Sequence, residues 1–425
     1  MPVTDAPQAL AGERPERMHH LDWLRVVALG GVFLFHALHP FDTFDWHVKN
    51  TERSEAISIL LAFLFPWGLG FFFLIAGAAS LFALRRRSPG RYVRERLSRL
   101  FVPYVVGWVL LAPVQSYIED VHNDSWEGSW GRFIPHFFAR AWREATVMDE
   151  GLLPLPLGWS YHLWFLVFLL WFSLLALPLF LFLRTARGER LMARVAPFAD
   201  RRGSCLLFAL PIALAHVAVR AASPDEHAWG EFAYYFGFFV AGYVLMTQPR
   251  LMEAVRRDLW PSLAVGVVGF VALLASGVIE WAEEWSRAPG YSWRYAAMFG
   301  LFSVQAWAWA VAALSLGLRV RAFARPLPYW AGLGAMPFFV LHQPVILAVA
   351  FVVVGTALGL ALKVLLVVFF ALVGTAALTA LATANGVTRR MLGAKSSPEP
   401  PAYSTRPASA GPATIGYRAP FPGER

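Results

Sequence analysis

Two ionisable side chains interrupt an apolar stretch near the amino terminus. In LDWLRVVALGGVFLFHALHP, residues 21–40, Arg25 and His36 stand eleven positions apart. On an α-helix eleven residues turn through ~1100°, so both side chains leave one face within ~20° of each other, ~16 Å apart along the axis. An arginine and an imidazole among apolar residues are costly unless they are paired or used. Histidine titrates near neutrality and can take a proton from a hydroxyl nucleophile. Arginine stays charged and suits an anionic ligand or a structural ion pair. Asp22, one turn before Arg25, is placed to pair with it, and His39 is a lesser polar candidate one turn beyond His36. The bland alternative is an arginine that snorkels to lipid headgroups and a histidine hydrogen-bonded between helices. Two such groups on one apolar face shift the balance towards function.

The elements that hold this pair are membrane helices. Of 425 residues 57% are hydrophobic and only 15% are Asp, Glu, Lys or Arg, below the ~25% usual in soluble domains. The composition therefore predicts an all-α, polytopic membrane bundle. Ten apolar stretches approach or exceed the ~20 residues a crossing needs, near 23–41, 57–84, 100–118, 161–183, 204–220, 231–247, 259–280, 294–317, 328–355 and 362–385. The second and ninth are long, and Pro66 and Pro344 are places for a break, since proline lacks a donor and crowds the preceding turn. RRRSPGRYVRERLSR (85–99) carries seven arginines and 184–202 six more, whereas IEDVHNDSWEGSW and EWAEEWSRAPG on the alternate side are acidic. The positive-inside rule then puts both termini in the cytoplasm.

The net charge of +9 is dispersed among these connections, which excludes a nucleic-acid-binding patch and fits a partner in the lipid bilayer. Cys205 is the only cysteine, so no intramolecular disulfide and no cysteine-based metal site can form. Residues 1–18 lack an apolar core of the signal-peptide kind and read as a cytoplasmic tail. Residues 19–388 form the membrane domain, and 389–425 a Pro/Ala/Ser-rich disordered tail. Trp126, Trp130, Trp142 and Trp159 in the long external loop either anchor short helices at the interface or form a platform for a sugar ring.

LDWLRVVALGGVFLFHA resembles the opening of the membrane acyltransferase-3 superfamily, whose members carry an arginine and a histidine separated by ten residues. GFFFLIAGAAS (70–80), RYVRERLSRLFVPY (91–104), YHLWFL (161–166) and FFVLHQP (338–344) continue the resemblance in order, over roughly residues 19–388. FDWHVKN (44–50) and the arginine-rich run after GAAS are similar to the glucan-biosynthesis protein C branch, which is linked to succinylation of periplasmic glucans.

The resemblance implies a cytoplasmic acyl-coenzyme A donor, succinyl-CoA or acetyl-CoA, and an exported or periplasmic glycan whose hydroxyl is acylated in a bacterial inner membrane. Arg96 and Arg99 match the family's Arg-x-x-Arg pair. With Arg91 and Arg94 they are expected to meet the donor phosphates, which guanidinium forks bind bidentately. Arg85, Arg86 and Arg87 are more simply read as topology determinants. His36 acts either as general base or as transient acyl carrier, with Arg25 and Asp22 in its catalytic set. His342, Gln343, Trp164 or freed backbone groups are candidates for stabilising the oxyanion, though His342 equally suits a carbonyl freed by Pro344. Asp45, Trp46, His47 and Asn50, with His162 and Trp164, are expected in acceptor binding or loop structure. His47 has no second ligand at a metal-binding spacing, so no metal is expected. A secondary transporter would also explain many spans and intramembrane charge, but no inverted repeat is evident.

Overall fold

The computed structural model describes residues 19–147, 158–275, 285 and 289–394, whose regular elements are all helices, with no strand among them. The expected tail 1–18 lies outside the described residues, as does 395–425 of the tail expected at 389–425; residues 389–394 instead finish a helix, Gly386–Met391, and pack on the bundle with Leu392 and Ala394 buried. The chain opens with α1 (His19–Leu38) and α2 (Glu55–Arg86), continues through α3 (Pro89–Arg96), α4 (Val102–Leu110) and α5 (Ala112–His122), and adds the short amphipathic α6 (Trp130–Val147). Next come α7 (Trp164–Leu175), α8 (Leu177–Leu183), α9 (Ala186–Val195), α10 (Ala209–Arg220) and α11 (Trp229–Leu245). The bundle closes with α12 (Pro249–Arg257), α13 (Leu259–Ala275), α14 (Trp293–Arg319), α15 (Tyr329–Val354), α16 (Leu360–Ala384) and α17 (Gly386–Met391).

Six helical stretches of the described chain are long and apolar enough to cross a membrane, and eight if each of two bent pairs counts as one. The bends fall between α7 and α8 (44°) and between α12 and α13 (57°). They do not fall at the expected prolines: α2 runs through Pro66 and α15 through Pro337 and Pro344. At Pro344 a neighbouring side chain serves the backbone: His162 meets the Val340 carbonyl, which Pro344 leaves without its helical donor. Near Pro66 the Tyr234 hydroxyl ties α11 to α2 by donating to the proline's own carbonyl at 2.8 Å. The segments expected to cross at 204–220 and 231–247 are shorter apolar helices.

Close packing of α2 on α11 fixes the centre. A Cβ on Gly77 would lie 1.8 Å from the Phe239 carbonyl oxygen, and one on Gly242 would lie 1.9 Å from that of Leu74. Small residues on both helices therefore let the backbones touch, the usual means of association where lipid supplies no hydrophobic drive. Phe180 stacks on Tyr243 at 3.7 Å beside this seam. Two of the four tryptophans between residues 126 and 159 take the structural role. Trp126 and Trp130 pack on Phe133 of α6, and Trp142 is exposed; the Trp159 side chain lies outside the described residues.

Between α3 and α4, residues Leu97–Phe101 form a π-helical turn that carries Arg99. Gly393, at φ +70°, closes on this turn: a Cβ there would meet the Arg99 carbonyl at 2.7 Å. Only glycine combines that conformation with so close an approach.

Candidate active site

His36 lies on α1 in contact with a second histidine from α15. His342 Nε2 is 3.1 Å from His36 Nδ1, and His342 Nδ1 is 2.6 Å from the Phe339 carbonyl. A carbonyl can only accept, so His342 Nδ1 carries the proton and its Nε2 presents a lone pair. His36 Nδ1 must then donate, to that lone pair or to the Val32 carbonyl at 3.1 Å. The Nε2 of neutral His36 is thereby left as a base. This is the arrangement by which a second group sets the tautomer of a catalytic histidine, with a neutral imidazole in place of the usual carboxylate.

His162 completes the cluster, its ring centroid 4.8 Å from that of His342 and 6.4 Å from that of His36. Its Nε2–H goes to the Val340 carbonyl at 3.2 Å, while Nδ1 has no partner among the described residues. Gln343, also buried, has an unpartnered Oε1. His36, His162 and Gln343 all border a cavity of about 1700 Å³.

The acidic end of the bundle supplies the cavity's polar mouth. Trp46 stacks between His36 (6.4 Å) and His39 (5.4 Å). His39 pairs with the fully buried Asp42 at 2.7 Å, and Lys49 binds the other oxygen of that carboxylate. Burial draws the Lys49 ammonium below its ordinary range, against the opposing pull of Asp42. Across the mouth His47 pairs with Glu119 at 3.0 Å, and the Tyr161 hydroxyl donates to the second Glu119 oxygen at 2.8 Å. Tyr161 adopts φ 51°, ψ −135°, a conformation that costs a non-glycine residue ~1–3 kcal/mol and persists only where the surroundings impose it.

A third group comes from the turn before α11. His227, at φ 59°, lies 4.4 Å from Trp164 ring to ring. Its backbone N–H is held by Glu231, which also faces Arg220. Burial pushes the His227 imidazole down to about 4.

The opposite end collects arginines. Arg96 donates to Ser80 at 2.9 Å and lies over the Tyr92 ring, and Arg99 donates to the Gly393 carbonyl at 3.3 Å. Arg96, Arg25 and Arg87 are among the charges acting on Arg99, so these guanidinia converge. Arg25 also pairs with Asp22 at 3.2 Å.

Some expected site residues therefore change place. Arg25 and Asp22 do not border the cavity with His36; three helical turns separate them, and they belong with Arg96 and Arg99. Arg91 is largely exposed and pairs with Glu95, and Arg94 points outward. Asn50 is buried with both ends of its amide occupied, by Lys363 (2.9 Å) and the Glu52 carbonyl (2.7 Å), which makes it a loop anchor. Asp45, Trp46, His47, Asn50, His162 and Trp164 all border the cavity. Glu119, Tyr161, His227 and Glu231 are cavity residues that the sequence motifs alone did not single out.

The comparison with protein families decides the class. A family model described as an acyltransferase domain matches residues 18–384. The chain belongs to the acyltransferase-3 family. No curated protein and no solved structure matches it. It is a membrane O-acyltransferase, and the histidine cluster of this acyltransferase is its one site where an imidazole base, unpartnered polar atoms and open volume coincide among the described residues.

Proposed function

We propose that this acyltransferase moves a succinyl or acetyl group from a cytoplasmic acyl-coenzyme A to a hydroxyl of an exported or periplasmic glycan. Within the family we assign it to the glucan-biosynthesis protein C branch, on the strength of FDWHVKN and the arginine run after GAAS. The reading takes the arginine-rich end as cytoplasmic and the chain as crossing a bacterial inner membrane ten times. The dispersal of basic and acidic connections supports it.

Coenzyme A is bound through its phosphates by Arg96 and Arg99, whose planar forks suit phosphate oxygens, with the Arg25 charge beside them. Its arm follows the flank of α1 that carries both Arg25 and His36. Leu29 and Val32 fill that flank, so entry requires α1 to part from its neighbours. The acceptor hydroxyl enters at the acidic mouth. His36 Nε2 takes the hydroxyl proton as the oxygen attacks the thioester carbonyl, while His342 receives the hydrogen bond from the resulting imidazolium. The tetrahedral oxyanion is met by the Gln343 amide. Collapse breaks the C–S bond, and the departing thiolate takes the proton from His36.

The observation that carries this reading is the His36–His342 hydrogen bond at the edge of the cavity. Mass spectrometry of envelope glycans from strains carrying the wild type or His36→Ala tests it. The variant is expected to insert normally and leave the glycan without its acyl mass. A fully acylated glycan from the variant would overturn the catalytic role.

A further inference from the structure

The cavity is larger than a sugar and an acyl group require. Its 1700 Å³ exceeds the ~300–1000 Å³ of ordinary small-molecule sites, and its lining is sharply divided. The ionisable and amide side chains that border it sit from His36 towards the acidic mouth. From Leu24 to Phe35 on α1, and from Ala313 to Val320 on α14, its walls are apolar. The stretch of α1 that borders it, Leu24 to His39, is ~22 Å long, most of the ~30 Å hydrocarbon thickness of a bilayer.

A pantetheine arm does not suit this stretch. Its amides would find no side-chain partner along those walls, and none of Arg25, Arg96 and Arg99 borders the cavity. A hydrocarbon chain needs no partner. The walls also continue into the lipid-facing surface, since Val27, Phe65, Leu274, Leu316 and Val320 are 40 to 55% exposed. A chain lying in the bilayer can therefore enter sideways. Gly31 and Gly68 keep the groove open, for a Cβ on either would meet nothing within 4 Å.

We propose that the acceptor is an amphiphile: a hydroxyl-bearing headgroup seated at the acidic mouth, carried on a long hydrocarbon chain that lies along α1 in this groove. The inference rests on the acyl-transfer reading and adds to it that the carbohydrate is acylated while lipid-anchored. Trp46, Tyr161 and the Glu119 carboxylate meet the headgroup. The chain fixes the depth of its hydroxyl at His36.

The test uses the full-length protein in nanodiscs with acetyl-CoA and succinyl-CoA as donors, and methyl, octyl and hexadecyl glucoside as acceptors. Hexadecyl glucoside is expected to exceed methyl glucoside at least tenfold in kcat/KM. Gly31→Leu and Gly68→Leu, which fill the groove, should bring the two acceptors within threefold of each other. Gly30→Leu, whose position is exposed and outside the cavity, should keep the full ratio. Because every protein sees the same bilayer, this comparison separates groove binding from mere partitioning of the longer glucoside. Equal rates for the methyl and hexadecyl acceptors, or a ratio undiminished in both filled variants, would overturn the inference while acyl transfer stands. A diazirine-bearing hexadecyl glucoside supplies a readout independent of turnover. Labelling of α1 and α14 that Gly31→Leu abolishes supports the groove even if neither donor is used, in which case only the acyl-transfer reading falls; absence of labelling overturns the inference.

Discussion

At the acidic end of the bundle the carboxylates of Asp42 and Glu119 each hold two side chains of the protein, whereas at the other end guanidinia outnumber the carboxylates beside them. Asp42 takes both His39 and Lys49, and Glu119 takes His47 and Tyr161. Around Arg99 the arginines Arg25, Arg87 and Arg96 gather, with Glu95 and the Asp22 partner of Arg25 as the opposing charges. A balanced network is rigid and can hold a neutral base in one tautomer. An unbalanced cluster of cations is completed by an anion from outside. On the proposed reading the contrast separates chemistry from donor capture, and each half can be broken alone.

The largest effect away from His36 itself is expected at its partner. His342→Ala removes the acceptor that sets the His36 tautomer and should lower kcat about 100-fold, within the range usual for disturbed general-base catalysis. His342→Gln, whose carbonyl oxygen can accept the same bond, should recover part of the loss. Equal kcat in wild type and His342→Ala would remove the dyad from the account.

At the arginine end Arg99→Lys keeps the charge and loses the fork. It should raise KM for acyl-coenzyme A about tenfold with kcat nearly unchanged, the signature of lost ground-state binding. A change confined to kcat would place Arg99 in the chemistry instead.

A smaller effect is expected at His227. Its folded value of about 4 lies below the ~6.5 of an unfolded histidine. Between those values the unfolded chain binds more protons, so this contribution to stability is complete above pH ~6.5 and is lost as pH falls towards 4. Thermal melts at pH 7.5 and pH 5 should show a drop for the wild type that is shallower in His227→Asn. Identical drops would show that His227 is not the group responsible.

The separation of an acidic from a basic end was legible in the sequence because alternate connections between the apolar stretches differ in charge composition. The Arg25–His36 spacing was legible because helical periodicity is regular, and His342 stood out because it precedes a proline in an apolar run. Periodicity is silent, however, on which helices meet. The three histidines lie on α1, on α15 and just before α7, up to 306 positions apart, and only packing brings them together. The role of Arg25 shifted for the same reason, its neighbours being on the π turn, and packing alone shows which of its two expected roles Asn50 takes, through Lys363 on α16. Glu119 and Tyr161 gave no signal of function, since an acidic loop and an interfacial aromatic are each ordinary in a membrane protein. Pro344 misled because the Val340 carbonyl that it leaves without a donor is met by the His162 side chain.

Single-turnover transfer from radiolabelled acyl-coenzyme A in nanodiscs, with donor affinity measured on the same samples, tests the division of labour most directly. For His36→Ala the account predicts transfer slowed at least ~1000-fold with acyl-coenzyme A affinity unchanged. Transfer within tenfold of the wild type, or loss of donor affinity in step with loss of rate, would contradict it.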